Sequence, residues 1–206
     1  MDGKWTYYPD IDAKNGVRLR TIEKKIKYLE GRIQKIVVVP VDEFFLLRES
    51  NENIRHLNLA IFGVICDAIV GLSEFLPTPR GKPKPQGKKD SEGKLRFLQF
   101  AMEYLYPSDH CRHQYAEKLW KDFRNPMAHG FHIRNGSIED DPNLHFAYDS
   151  EHKTLSLHLE GFFNDFKNGA KRFFDELKKP ESTQLRIAFQ KTFNGFFSVL
   201  IPKNGG

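Results

Sequence analysis

An arginine, an amide and a histidine stand within six residues at Arg124-Asn125-Pro126-Met127-Ala128-His129, and Gly130 follows. Arginine keeps its charge and presents a planar fork of donors to anionic oxygens. Histidine takes up and releases protons near neutrality. Together the two can hold a phosphate-like anion and move a proton beside it. The same pair can also serve a plainer purpose, by satisfying carbonyls at a helix end.

Other chemistry-bearing residues are fewer. His110 and His113 share a helix face at three-residue spacing, with Cys111 between them and His129 and His132 further on. Metal ligands can be spaced so, yet no CxxC or HExxH accompanies them, and no metal is expected. His110 can instead face the same cleft as Arg124 and His129. Asp67 sits inside a long apolar stretch. It either bonds a donor across the core or orients Arg124 or His129. No Gly-rich phosphate loop or serine-nucleophile signature is present, so nucleotide hydrolysis and acyl transfer have no support and no cofactor is implied.

The elements that must position these residues belong to a chain of 206 residues, long enough for one sizeable core. At 39% hydrophobic it is globular in composition, and its 18 phenylalanines point to aromatic packing between helices. A net charge of +5 and a pI near 9.1 favour polyanionic partners. Two cysteines, Cys66 and Cys111, make no disulfide framework, so a reducing compartment such as the cytoplasm is expected. The first ten residues lack a basic stretch followed by an apolar one, so no secretory signal is expected. The apolar stretch 57–76 carries Asn58, Asp67, Ser73 and Glu74, which suits a buried core helix better than a membrane span.

Taken in order, 17–36 reads as an amphipathic helix on Leu19, Ile22, Ile26, Leu29 and Ile33, with Arg18, Arg20, Lys24, Lys25 and Lys27 on its outer surface. Pro40 is expected to end whatever Val37-Val38-Val39 forms. Ser50 or Asn51 caps a central helix over 54–76. The stretch 77–93 is rich in proline and glycine and reads as a flexible basic loop. Its Arg80, Lys82, Lys84, Lys88 and Lys89 make either a solubilising linker or an RNA-binding arm. A helix over 95–106 stops at Pro107, and Ser108 or Asp109 caps the next, which runs through Tyr115, Leu119 and Trp120 into Arg124. Between about 131 and 159 the pattern turns extended, with a two-residue turn at Asn135-Gly136 and small hairpins. Helices over 160–178 and from 181 onward follow, both rich in phenylalanine. The fold class is mainly α: one helical bundle, residues 1–206, with a small β-hairpin insertion.

Proline sets the local geometry around the arginine. Inside a continuous helix it costs about 3 kcal/mol. The expected alternative is a break, with Asn125 capping a new turn that Pro126 opens and a left-handed Gly130 closes. Such a break would bring Arg124 and His129 closer than an ideal helix does.

The spacing of arginine, four residues and histidine at a helix end, with Asn125 after the arginine and Gly130 after the histidine, resembles the signature of the HEPN superfamily. That resemblance implies a small helical bundle and a metal-independent endoribonuclease. By it, Arg124 would stabilise phosphate charge, His129 would carry the proton, Asn125 would position one of them or the substrate, and Gly130 would be structural. It further implies a homodimer with both Arg/His sets lining one cleft, RNA as substrate, and products with a 2′,3′-cyclic phosphate and a 5′-hydroxyl. A toxin, defence or RNA-processing role follows by the same analogy, with an antitoxin or regulatory partner. The alternative is a non-catalytic relative that binds RNA, a nucleotide or a protein.

Overall fold

The computed structural model describes Leu19, residues 21–78 and residues 91–197. Helix α1 (Ile22–Ile33) starts at Thr21, whose side chain accepts the Lys24 N–H. Ile26 and Leu29 are buried, as their spacing requires, and Ile22 and Ile33 flank them half-buried. Lys25 departs from the expected outer basic surface. It is 5% exposed, and its ammonium donates to Asn194 Oδ1 at 2.8 Å.

Pro40 does not end this helix. Gln34–Val38 forms a π turn closed by the Val39 N–H on the Gln34 carbonyl, and α2 (Val39–Ser50) continues from it. The wider turn makes room for a ring that would otherwise strike the carbonyl four residues back. Asn51 then caps a 3-10 turn, Glu52–Leu57, by accepting the Asn53 N–H, and α3 (Asn58–Ser73) follows.

Helix α3 is central. Phe62, Ile65, Ile69 and Leu72 are fully buried, and the helix packs against α4 (Glu92–Phe100) and α8 (Leu159–Lys178). By length and composition alone Glu52–Ser73 would suffice to cross a membrane. Its buried side instead joins one hydrophobic cluster, which is compatible with a soluble bundle. Asp67 lies on the exposed stripe with Ala60 and Val64, and not in the core as expected from its apolar neighbours.

The N-cap of α4 is Ser91, so Glu92 and Gly93 are helical where a loop was expected. Arg80, Lys82, Lys84, Lys88 and Lys89 lie outside the described residues. A π turn, Ala101–Leu105, extends α4 to Tyr106, and Pro107 stops it. Asp109 caps α5 (His110–His113) by accepting the Arg112 N–H. Helix α6 (Ala116–Lys118), a π turn (Leu119–Arg124) and α7 (Asn125–Gly130) complete this arm.

The insertion is a three-stranded sheet in the order β1 (Gly136–Glu139), β3 (Thr154–His158), β2 (Ala147–Asp149). Strands β2 and β3 form the expected antiparallel hairpin, its turn held by Asp149 Oδ1 accepting the N–H groups of Glu151 and His152. Strand β1 runs parallel to β3, so Asn135-Gly136 is the start of a strand and not a hairpin turn. The glycine is there for close approach. A β-carbon at Gly136 would collide with the Phe123 ring and stand 2.6 Å from the Leu155 carbonyl oxygen.

Helix α8 begins at His158, whose Nδ1 accepts the Gly161 N–H, and α9 (Thr183–Phe196) closes the bundle against α1. The phenylalanines tie these layers together. Phe62 meets Phe162 at 5.1 Å and Phe123 at 5.7 Å between ring centres, Phe100 meets Phe173 at 5.9 Å, and Phe75 meets Phe189 at 5.3 Å. Each fully buried ring is worth about 1.5–3 kcal/mol, so the core rests on them. The architecture is mainly α with a small β insertion after Gly130.

Gly136→Ala should lower unfolding stability in urea by about 1–3 kcal/mol, because the added methyl must displace Phe123 or the β1–β3 ladder. An unchanged midpoint would show that the strand does not cross the ring so closely.

Candidate functional site

Phe123 anchors the arm. It is fully buried beneath β1 and against Phe62, and this fixes the direction of its neighbours. Arg124 comes next and is half-buried. Its guanidinium lies over the Trp120 ring at 4.7 Å from the centroid, and Trp120 leans on Phe97 at 5.3 Å. Its Nε is buried without a hydrogen-bond partner.

Arg124 differs from four other partly buried arginines in lacking a carboxylate among the described residues. Other partly buried arginines hold one: Arg48 with Asp140 at 2.7 Å, Arg96 with Glu74 at 2.8 Å, Arg112 with Asp165 at 3.3 Å and Arg186 with Glu23 at 2.9 Å. Arg124 has no acidic partner among the described residues. Its charge reaches Cys66 on α3 instead. Burial pushes the Cys66 thiol well up, the Asp67 carboxylate adds to that, and the Arg124 charge opposes both. Asp67 itself makes no hydrogen bond or ion pair among the described residues, so it orients neither Arg124 nor His129.

The break expected at Asn125 does not occur. The helix widens upstream, over Leu119–Arg124, and the Asn125 N–H bonds to the Trp120 carbonyl. Arg124 and Asn125 both keep right-handed helical angles, and Asn125 caps nothing. Pro126 is absorbed as Pro40 is, directly behind a π turn. The left-handed residue is Phe131, at φ 50° and ψ 40°, and not Gly130. A phenylalanine in that conformation costs about 1–2 kcal/mol.

Continuous helix through 124–130 has a consequence for the pair. Five residues at about 100° each put Arg124 and His129 about 140° apart around the axis. They are not drawn together within one chain. His129 is exposed in the last turn, with no hydrogen bond among the described residues, and Asn125 is half-buried.

Asp122 escaped notice in the sequence. It is 2% exposed. Its carbonyl, which Pro126 cannot use, accepts the Arg134 N–H at 2.8 Å. Its carboxylate faces Asn135 Nδ2 at 3.4 Å and Lys118 Nζ at 3.7 Å. The one available signal was an acid alone among Lys118, Lys121, Arg124 and Arg134. Between 121 and 134 the accessible charges are therefore all basic: Lys121, Arg124, Arg134 and, when protonated, His129 and His132.

A second polar cluster also went unread. His145 Nε2 pairs with Asp165 Oδ2 at 2.9 Å, and Arg112 joins the same carboxylate while lying over the Phe146 ring at 4.9 Å. The Tyr106 hydroxyl is buried nearby without a hydrogen bond, and burial first, then Asp165, holds the phenol far above its usual range. These contacts clasp the insertion to α5 and α8. His113 belongs to the same region through a 2.6 Å contact between its Nε2 and the Tyr106 carbonyl, with His110 edge-on beside it. Among the described residues no group of three or more His, Cys, Asp or Glu is placed to hold a metal.

Comparison with known proteins yields no family model, no curated protein and no solved structure that matches this chain.

Cysteine labelling checks the surroundings of Arg124. Cys111 is exposed and Cys66 buried. A thiol reagent at pH 8 should modify Cys111 alone in the folded protein and both in urea, as read by mass. Because its raised thiol stays neutral when folded, Cys66 favours the native state fully below the usual thiol range near pH 8.5. That contribution declines as pH rises above it. Rapid labelling of Cys66 under native conditions would contradict this burial.

Proposed function

We propose that the chain is a metal-independent endoribonuclease of HEPN type, working as a pair of identical subunits in the cytoplasm. The observation that carries this reading is the half-buried Arg124 guanidinium, stacked on Trp120 and without a carboxylate among the described residues, five residues before an exposed histidine. A cation held in place and left without a counter-charge suits an incoming phosphodiester.

The chemistry needs three services. A base takes the proton of the ribose 2′-hydroxyl as its oxygen attacks phosphorus. A cation stabilises the charge gathered on the five-coordinate phosphate. An acid protonates the 5′-oxygen as the P–O5′ bond breaks, leaving a 2′,3′-cyclic phosphate and a 5′-hydroxyl. Histidine fits both proton transfers and arginine fits the charge. The wide angle between Arg124 and His129 within one helix favours a cleft completed by a second copy, where one subunit's arginine faces its partner's histidine. Exposed Leu57, at the end of the 3-10 turn, with Ala60 and Val64 on α3, provides apolar surface for that copy. Asn125 would steady the substrate, and the basic segment with Arg80, Lys82, Lys84, Lys88 and Lys89 would add phosphate contacts. A toxin, defence or RNA-processing setting, with a partner that covers the cleft, goes with this reading.

Cleavage of single-stranded RNA should proceed in EDTA and fall about 10²–10⁴-fold in Arg124→Ala and in His129→Ala. Products should carry cyclic phosphate ends. Equal rates in parent and variants would place the activity elsewhere. Tight binding with no cleavage would make the chain a binding module.

A further inference from the structure

Phe131 is the exception among the phenylalanines of this chain. It is 79% exposed. Every other phenylalanine faces another aromatic ring. Phe131 has no such partner among the described residues.

Its backbone adds a second oddity. Among the described residues three non-glycine residues have positive φ: Phe131, Phe146 and Lys153. Phe146 is held by packing, between Tyr106 and Tyr115 and under Arg112. Lys153 stands in the β2–β3 turn, where such angles are routine. Neither reason serves Phe131. It occupies the position after a helix where glycine is the usual residue, while Gly130 sits one place too early. Strain without packing gain points to a role outside the fold.

The surroundings narrow that role. Lys121, Arg124, His129, His132 and Arg134 share the segment, and its single acid, Asp122, is buried. A ligand that suits a bare aromatic ring amid cations has flat apolar faces on an anionic backbone. We infer that Phe131 is a stacking platform for an unpaired base of single-stranded RNA, beside the proposed Arg124–His129 site and resting on that reading. Bases in a duplex are already stacked and cannot reach it.

The test is binding of a fluorescent single-stranded oligoribonucleotide in EDTA, beside the same strand annealed to its complement. Phe131→Ala should weaken single-strand binding about tenfold, Phe131→Trp should restore it, and duplex binding should not change. Phe131→Gly should weaken single-strand binding while raising the melting temperature, because it relieves the left-handed strain. Unchanged binding in Phe131→Ala would overturn the platform and leave the cleavage assay of the Arg124 and His129 variants untouched. A fall in melting temperature with Phe131→Gly would mark the ring as packing. Loss of self-association in Phe131→Ala, read by sedimentation, would assign it to a subunit interface, and each of these results overturns the proposal. Neither cleavage nor binding by the parent protein would remove both readings together.

Discussion

Proline has no N–H to give, and this chain answers that lack the same way three times. The N–H groups of Val39, Tyr106 and Asn125 each close a π turn, and each residue is followed directly by a proline. A five-residue reach widens the helix where the ring must fit and shifts the carbonyl it would have struck. At Pro40 and Pro126 the helix then goes on. At Pro107 it stops, and the loosened end is held from outside, with the Arg172 guanidinium donating to the carbonyls of Tyr104 and Leu105. One covalent constraint thus has two outcomes: the helix runs on at Pro40 and Pro126, and gives way to a turn at Pro107.

At Pro126 the missing donor also shapes the surface. The Asp122 carbonyl is left over and takes the Arg134 N–H, so the chain leaving the helix is tied back to the turn it came from. Asn135 and Lys118 secure the Asp122 side chain from either side, and Gly136 lets β1 pass over Phe123. With both ends fixed, the short arch between Met127 and Arg134 touches the core only near its ends, through Met127 and the half-buried Ile133. Met127 is still buried, whereas Ala128, His129, Gly130, Phe131 and His132 face solvent. Exposure of the histidine follows from this tether and not from its polarity alone.

Much of this was legible in the sequence, for identifiable reasons. The core faces of α1, α8 and α9 announce themselves as apolar residues at three- and four-residue steps, and β3 as alternation on Leu155 and Leu157, which runs on to Leu159 at the start of α8. What could not be read were features without a period. A π turn adds one residue and leaves no repeat, so proline looked like a stop at Pro40 and a break at Pro126. Gly136 resembled a turn glycine, because a residue chosen for close approach looks the same in sequence as one chosen for its dihedral angles. Asp67 shows the limit of composition: apolar neighbours on both sides suggested the core, but helical phase puts it on the outer stripe. Arg124 and His129 were found by type and spacing, yet their angular separation depends on the backbone that Pro126 adopts.

The electrostatic state of Arg124 is the part of the fold least explained by stability. A buried guanidinium edge with no acceptor costs free energy of order 1–3 kcal/mol. Stacking on Trp120 offsets that by about 0.5–2 kcal/mol at most. A carboxylate would have been the cheaper answer, and the chain uses it for Arg48, Arg96, Arg112 and Arg186. Asp67 is near enough to act on the same thiol, but it forms no ion pair with the guanidinium. Neutralising Arg124 internally would remove the positive field from the one arch that the backbone pushes outward. Leaving it open keeps a half-buried cation a few residues ahead of an exposed histidine and a bare ring. Within the folded monomer the stacking on Trp120 recovers part of the cost of that unpaired edge, and no carboxylate among the described residues recovers the rest.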